Sequence, residues 1–231
     1  MAVVWEPLYT GPLPSIESGL PLLEAPGLRH TLGVIASHFY DEPSRHMAVV
    51  GITGTDGKTS CAHFIAQALS DTQDGLCGLL GTLGLGVYSA VDPTLHTTPD
   101  VLSVQNWLAK LVAGGRRYAV MEASSHALDQ GRVEGVEFAV AVLTHLSRDH
   151  LDYHGSLEAY AAAKQRLFLS HHPRWAVLNL DDSFGRNIAA DLCGATPALV
   201  GYGLSEQPAR LERFVWGETL DLSPIGLRLR I

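Results

Sequence analysis

The segment that most constrains the fold is residues 49–60, with the sequence VVGITGTDGKTS. Its β-branched residues Val49, Val50 and Ile52 predict a buried strand, and the apolar spacing of residues 64–69 predicts a helix after it. A glycine-rich turn that ends in Gly-Lys-Thr lies between the two. Glycines let backbone N–H groups close around phosphate oxygens, and a helix N-terminus favours the same anions. The segment therefore predicts a phosphate-binding loop between a strand and a helix.

The residues of this loop have distinct predicted roles. Lys58 supplies a full positive charge for the phosphates, and the Thr59 hydroxyl can ligate the magnesium ion of a nucleoside triphosphate. The spacing differs from the standard phosphate loop, because five residues rather than four separate Gly51 from Gly57. The residues predicted to bind the nucleotide are Gly54, Thr55, Asp56, Gly57, Lys58, Thr59 and Ser60.

Composition limits the classes of protein to consider. The chain has 231 residues, of which 46% are hydrophobic and 17% are charged, and its formal net charge is −8. This balance is typical of a globular protein and argues against general binding of nucleic acid or anionic membranes. The three cysteines form no C-x-x-C pair, no apolar run is long enough to cross a membrane, and the start lacks the basic region of a signal peptide. We expect a cytoplasmic protein.

Apolar strands alternate with helical patterns along most of the chain. Further strands are predicted at 76–80, 117–121, 138–143, 176–180, 213–216 and 226–231. Helices are predicted after Pro99, where Thr98 would be the N-cap, and at 156–169. The glycines of 78–86 predict an open loop. Strands that alternate with helices predict an α/β fold with a mainly parallel sheet, whose ligands bind beyond the strand C-termini.

The first 46 residues form a separate unit in this reading. Short strands at 2–5 and 20–23 lie among prolines, and a helical face of apolar residues follows from Leu28 to Phe39. So few elements make a poor independent core. We therefore expect 1–46 to be part of a small N-terminal α/β domain, and 47–231 to be the central nucleotide-binding domain.

Polar residues that follow two of the predicted strands are candidate metal ligands. Glu122 ends the third strand, where a carboxylate can hold magnesium directly or through water. His150 and His154 lie four residues apart, a spacing that suits zinc on a helix, but Gly155 follows at once and no third ligand has a diagnostic spacing. A loop that faces the nucleotide is the better reading of Asp149 and His150.

Lys164 lies on the apolar face of the helix predicted at 156–169. Burial of an unpaired ammonium is costly, so such a lysine usually reaches solvent, pairs with a carboxylate or loses its proton. A neutral amine beside a metal site has one further possibility, because it can take up carbon dioxide and become a carbamate, which is an anionic metal ligand.

Three runs of sequence carry a family resemblance. MEASSHALDQGR (121–132), LSRDHLDYHG (146–155) and YAAAK (160–164), together with TGTDGKT (53–59), closely resemble the Mur ligases. Among these they resemble the ligases that add the third residue of the peptidoglycan stem peptide. Relatives usually carry Asn where this chain has Asp56. Folylpolyglutamate synthases share the fold but do not usually carry the first two runs in this form.

The resemblance implies an ATP-dependent amide ligase that joins a diamino acid, diaminopimelate or lysine, to UDP-N-acetylmuramoyl-L-alanyl-D-glutamate. ATP phosphorylates the D-glutamyl γ-carboxylate, and the incoming amine displaces phosphate from the acyl phosphate. By this resemblance Lys58, His150 and Lys164 are catalytic. Thr59 and Glu122 hold one Mg²⁺, and His150 with a carbamate on Lys164 holds a second. The positions implied to bind the UDP-sugar peptide are Thr97, Thr98, Ser124, Gln130 and Arg132.

The resemblance also implies that this chain lacks part of the ligase. We expect only the last part of the N-terminal domain, an incomplete end of the central domain, and no C-terminal domain, so that the chain alone does not form the amide bond. Two other readings stay open at this point. The chain could belong to another amide ligase of the superfamily, such as a folylpolyglutamate synthase, or it could be a nucleotide-binding module without catalytic activity.

Overall fold

A computed structural model of the protein describes residues 3–6, 19–71, 76–194, 196–204, 211, 213–223 and 226–230. The helices are α1 (Leu28–Phe39), α2 (Lys58–Ser70), α3 (Val101–Ala113), α4 (Ser125–Asp129), α5 (Leu151–His154), α6 (Leu157–Leu169) and α7 (Ser183–Asp191), with a short 3-10 helix at Pro43–Arg45. The strands are β1 (Val3–Trp5), β2 (Leu22–Glu24), β3 (Ala48–Thr53), β4 (Gly78–Gly81), β5 (Gly84–Val87), β6 (Ala90–Asp92), β7 (Tyr118–Glu122), β8 (Val140–Leu143), β9 (Trp175–Asn179), β10 (Ala198–Gly203), β11 (Phe214–Trp216), β12 (Glu218–Ser223) and β13 (Gly226–Arg230).

A nine-stranded sheet organises the described part of the chain, in the order β11-β10-β9-β8-β3-β7-β4-β5-β6. Every neighbouring pair from β11 to β4 is parallel, and β5 and β6 extend the sheet in antiparallel fashion. The α/β fold with a mainly parallel sheet is therefore confirmed. β3 lies between β7 and β8, so the ends of these three strands meet at one edge.

Alternation along β3 divides the hydrophobic core between the two faces of the sheet. Val49 belongs to one buried cluster, which includes Trp107 of α3 and Phe168 of α6. Val50 and Ile52 belong to the other cluster, which packs against α2. A strand that is buried on both faces in this way is typical of a parallel sheet covered by helices.

Two predictions about local structure are wrong. The glycines of 78–86 do not form an open loop, because β4 and β5 pair as an antiparallel hairpin through these residues. The N-cap of α3 is Asp100 rather than Thr98, since the Asp100 carboxylate accepts hydrogen bonds from the backbone N–H groups of Leu102 and Ser103. The Thr98 hydroxyl instead donates to the Glu122 carbonyl at 2.7 Å.

The helix predicted from Leu28 is confirmed as α1, but its apolar face is largely not buried. Phe39 is 78% exposed and Ile35 is 50% exposed, whereas Gly33 and Ala36 are buried. A Cβ on Gly33 would lie 2.4 Å from the carbonyl oxygen of Glu134, so the contact is made on the side of the helix with small residues.

The short strands predicted near the N-terminus are present as the parallel pair β1 and β2. Two strands were predicted at the end of the chain, at 213–216 and 226–231. The first is β11, which is the edge strand of the large sheet. The second is β13, which pairs with β12 in a separate two-stranded sheet. Ala2 and Ile231, at the outer limits of these predicted strands, lie outside the described residues.

Candidate active site

The glycine-rich loop between β3 and α2 folds so that its backbone carbonyl groups bind the side chain of Lys58. Gly54 has φ +146° and Gly57, the N-cap of α2, has φ +81°, both values that favour glycine. A Cβ on Gly54 would lie 1.8 Å from Thr144 Oγ1, so a side chain there is excluded as well. Lys58 Nζ donates to the carbonyl oxygens of Gly54 at 3.0 Å and Thr55 at 2.8 Å. Burial lowers the pKa of Lys58.

Residues that follow β8 hold this loop in place. The Thr55 N–H donates to the His145 carbonyl at 2.8 Å, and Thr144 Oγ1 donates to the Asp56 carbonyl at 2.7 Å. Thr55 Oγ1 lies 3.2 Å from the buried hydroxyl of Tyr160. The Asp56 side chain, in contrast, is 80% exposed and lies 3.8 Å from His145 Nε2. Ser60, the last predicted nucleotide residue, is exposed on α2.

Glu122 is 1% exposed, and its carboxylate accepts three hydrogen bonds from neighbouring residues. Its Oε2 accepts from Thr59 Oγ1 at 3.0 Å and from Thr82 Oγ1 at 3.2 Å, and its Oε1 accepts from the Thr82 N–H at 2.9 Å. A Cβ on Gly81 would lie 2.0 Å from Oε1, so the end of β4 leaves room for the carboxylate. We call Thr59, Thr82 and Glu122 the Glu122 side of the site.

The residues implied to bind the UDP-sugar peptide form one hydrogen-bonded row. Thr98 Oγ1 lies 3.4 Å from Ser124 Oγ, and the Thr98 carbonyl accepts from Arg132 Nη1 at 2.9 Å. Arg132 Nε donates to Gln130 Oε1 at 2.9 Å, and Gln130 Nε2 donates to the Tyr153 hydroxyl at 3.0 Å. Thr97 connects this row to the Glu122 side, because its hydroxyl lies 3.1 Å from that of Thr82. Sequence and structure thus bring all five predicted positions together.

Lys164 is 1% exposed, as its place on the apolar face of α6 predicts. Its Nζ donates to the Gly54 carbonyl at 2.7 Å and lies 4.4 Å from the centroid of the Tyr160 ring. Burial lowers the pKa of Lys164 to about 7, with a further contribution from the charge of Lys58 and an opposing one from Asp149. This lowered pKa brings the loss of the proton from Lys164 close to physiological pH.

His150 and Lys164 each lie close to the Tyr160 ring. The residue has φ +51° as the N-cap of α5, and its half-exposed ring lies 3.4 Å from Asp149 Oδ2. Its ring centroid is 6.2 Å from that of Tyr160, so the Tyr160 ring contacts Lys164 and approaches His150. The ring centroid of His126 lies 4.7 Å from that of His150. We call His150, Tyr160 and Lys164 the Lys164 side.

The two sides differ in how well they fit magnesium. The Glu122 side presents a carboxylate and a hydroxyl, which are the oxygen donors that Mg²⁺ prefers. On the Lys164 side a lysine amine and an imidazole suit Mg²⁺ poorly, and a carbamate on Lys164 would supply the missing oxygens. Among the residues that the structure describes, no group of three or more His, Cys, Asp or Glu side chains has metal-binding geometry. His150 and His154 are therefore not part of such a group.

Sequence reasoning missed three residues that shape the site. Thr82 donates twice to Glu122, Thr144 holds the phosphate loop, and the Tyr160 ring contacts Lys164 and approaches His150. Thr82 and Thr144 directly follow β4 and β8, so the rule that polar residues at parallel strand ends share one edge could have found both. Tyr160 carried no such signal, because an aromatic residue on an apolar helix face is ordinary core.

The central parallel strand that passes through a glycine loop into a helix defines an α/β protein of the phosphate-loop class. A family model described as the Mur ligase middle domain matches residues 52–226. The chain belongs to the Mur ligase family.

Two curated relatives share one description. The UDP-N-acetylmuramoyl-L-alanyl-D-glutamate–2,6-diaminopimelate ligase of Alkalilimnicola ehrlichii is 52% identical over 100% of this chain and 46% of its own length. The ligase of the same description from Pseudomonas aeruginosa is 50% identical over 91% of this chain and 42% of its own length. The chain therefore spans about half the length of the curated relatives it matches.

Solved structures agree with this placement. A structure of a UDP-N-acetylmuramoyl-L-alanyl-D-glutamate–2,6-diaminopimelate ligase matches with a TM-score of 0.73 at 33% identity, over 93% of this chain and 45% of that chain. A folylpolyglutamate synthase of Mycobacterium tuberculosis matches with a TM-score of 0.58 at 16% identity, over 76% of this chain and 48% of that chain, which shows a shared fold alone. No helix among the described residues is long and apolar enough to span a membrane.

Proposed function

We propose that this chain is the nucleotide-binding part of an ATP-dependent ligase that joins diaminopimelate to UDP-N-acetylmuramoyl-L-alanyl-D-glutamate. The observation that carries the proposal is the convergence of Lys58, Thr59 and Glu122 at the C-terminal edge of β3 and β7. The names of the relatives at 52% and 50% identity support diaminopimelate over lysine as the added amino acid.

The residues of the site divide the work of such a reaction. Lys58 and the backbone of the phosphate loop hold the nucleotide phosphates, and the row from Thr98 to Arg132 orients the UDP-sugar peptide, with Arg132 as partner of a carboxylate. Thr59 and Glu122 would hold one Mg²⁺, and His150 with a carbamate on Lys164 would hold a second. These ions supply neutralisation of phosphate charge when bound.

Two transfers follow. A carboxylate oxygen of the D-glutamyl residue takes the γ-phosphoryl group, and ADP leaves. The amine of the diamino acid then forms the amide bond as phosphate leaves with the bonding electron pair and the amine gives up a proton. Because little of this chemistry requires a covalent bond to the protein, positioning and charge neutralisation supply the rate enhancement.

The nucleotide part of the proposal is tested on the chain itself. Isothermal titration with ATP and Mg²⁺ should show one site, and Lys58→Ala should weaken binding by about tenfold or more, the loss expected for one charge-assisted contact. Lys110→Ala, which removes an exposed lysine from α3, is the matched control and should bind like the wild type. Equal binding by wild type and Lys58→Ala would contradict the nucleotide site.

The ligase part is tested on this chain joined to the remaining parts of a relative. With ATP, Mg²⁺ and the UDP-muramoyl dipeptide, we expect tripeptide product with diaminopimelate and little with lysine. Product with lysine alone would reassign the amino acid. Glutamylation of a folate in place of the muramoyl dipeptide would favour the folylpolyglutamate synthases, and ATP binding without any product would favour a module that lacks catalytic activity.

A further inference from the structure

A cavity lies at the edge of the sheet opposite the phosphate loop. Its lining includes Ala48, the first residue of β3, together with Tyr118, the first residue of β7, and Ala139, which precedes β8. The phosphate loop follows the other end of β3, so the strand separates the two regions. The volume of about 630 Å³ falls within the range of small-molecule pockets, about 300–1,000 Å³.

Basic side chains dominate the polar lining of this cavity. They come from the segments that lead into β3, β7 and β9, and they are Arg45, His46, Arg117, His171, His172 and Arg174. Among the described residues, Glu137 is the one carboxylate in the lining. Three of the six basic side chains are arginines, which stay charged at physiological pH, although the formal net charge of the chain is −8 with histidine neutral. A concave surface of one sign of charge focuses the field and attracts ions of the opposite sign.

Internal ion pairs account for only part of this charge. Arg45 pairs with Glu137 and also with Glu42, at 2.8 Å, so its guanidinium is neutralised within the protein. The Arg174 guanidinium is exposed and makes no hydrogen bond, ion pair or ring contact with any residue that the structure describes. His46 and His172 are exposed as well.

Stabilisation of helix C-termini does not explain Arg174. Helices between parallel strands end at this edge, and basic residues commonly bind the carbonyl groups there. However, α6 ends at Leu169, and the Arg174 side chain bonds none of its carbonyl groups. The guanidinium is therefore available to a ligand in the cavity.

We propose that this cavity binds a small oxyanion ligand that carries two or more negative charges on phosphate or carboxylate groups. Arginine suits both groups, because its planar fork donates two parallel hydrogen bonds to paired oxygens. The proposal does not depend on the nucleotide site or on the ligase reaction.

The test uses pyrophosphate and citrate as separate probes in isothermal titrations at constant ionic strength. Every protein in the series carries Lys58→Ala, which weakens phosphate binding at the phosphate loop and so reduces its contribution to the signal. We expect saturable binding of at least one probe at a single site. Arg174→Gln and, as a second variant, Arg117→Gln should each weaken that binding by about tenfold or more.

The matched control is Arg116→Gln, which removes the same charge one residue from Arg117 but outside the lining. It should change the affinity less than about twofold, and circular dichroism should show the same fold for all variants. Binding of pyrophosphate alone would identify a phosphate ligand, and binding of citrate would identify a polycarboxylate. Absence of saturable binding for both probes, or equal weakening by Arg116→Gln and the two lining variants, would overturn the proposal.

Discussion

Glu122 and Lys164 approach the phosphate loop from two different elements, β7 and α6, and each is 1% exposed. The Glu122 carboxylate accepts three hydrogen bonds from Thr59 and Thr82. Lys164 has one carbonyl partner and an aromatic ring, and burial lowers its pKa to about 7. The comparison shows that the Glu122 carboxylate is buried together with several hydrogen-bond donors. The Lys164 amine is buried with few partners, and its lowered pKa favours the neutral form that can react with carbon dioxide.

The largest effect is expected on the turnover of a complete ligase, made by joining this chain to the remaining parts of a relative. The substitution Lys164→Ala in that protein tests the difference between Glu122 and Lys164. If a carbamate on Lys164 is required, turnover should fall about 100-fold or more, the loss typical of one key electrostatic group. ATP binding should change little, because Lys58 and the loop backbone remain. A short carboxylate such as acetate should partly restore turnover, which is the readout to measure.

Lys110→Ala is the control for this experiment, since it removes a lysine from an exposed position. Near-normal turnover of Lys164→Ala would show that the buried amine has no catalytic role, and the two sides would then differ in structure only.

A smaller effect is expected from Glu122→Gln on the other side. The amide keeps the shape of the carboxylate but loses its charge. Its NH₂ group cannot accept the hydrogen bonds that Thr82 donates to the carboxylate. We expect Mg²⁺-dependent ATP binding to weaken by about tenfold, with a smaller loss for ATP without Mg²⁺. Titrations with and without the metal measure the difference, and Glu158→Gln on the exposed face of α6 is the control. An equal loss under both conditions would argue against a metal ligand.

The third effect concerns stability as a function of pH in buffer free of bicarbonate. The folded pKa of Lys164 lies near 7 and the unfolded value near 10.5, so the unfolded state binds more protons between these values. The contribution of Lys164 to the free energy of unfolding therefore rises with pH in this window, by at most about 1.4 kcal/mol per unit. Below pH 7 the cost of the buried charge is fully present.

Lys164→Met removes this cost and is the variant to compare. In urea unfolding, Lys164→Met should exceed the wild type in stability most clearly at pH 6, and the gap should narrow from pH 7 to pH 8.5. Measurement stops at pH 8.5 because the Cys77 thiol also changes the stability at higher pH. Its pKa is near 9 in the unfolded chain, and burial raises this pKa to about 12 in the folded protein. A gap that stays constant from pH 6 to pH 8.5 would contradict a depressed pKa for Lys164.

The smallest effect is expected from Asp56→Asn at the tip of the phosphate loop. The Asp56 side chain is 80% exposed, so its repulsion of phosphate is screened by solvent. ATP affinity should stay the same or improve by about threefold at most. A large loss in the same titration would mean that the Asp56 carboxylate has a role that an Asn at this position does not fill.

The sequence predicted the strand, loop and helix around Lys58 because strong local signals agree there: β-branched residues, glycines and helical spacing. Helical spacing likewise placed Lys164 on the buried face of α6. The wrong predictions arose where contacts with residues distant in sequence determine the local structure. Thr98 is a good N-cap by type, but the Glu122 carbonyl takes its hydroxyl, and Asp100 caps the helix instead. The glycines of 78–86 form β4 and β5 because each strand supplies the other's backbone partners.

The cavity opposite the loop was not foreseen for a related reason. Its arginines are distant in sequence and precede strands at 48, 118 and 175, and no local motif connects them. Only the order of strands in the sheet brings them to one edge.

The contact between Gly81 and Glu122 has an evolutionary consequence. Any side chain at position 81 would have to displace a carboxylate oxygen that Thr82 already holds in place. Substitution of the glycine alone would therefore disturb the neighbouring strand end, however mild the replacement. Over evolutionary time these two positions cannot drift independently, and a lineage that gained bulk at 81 would first need another way to hold the carboxylate of residue 122.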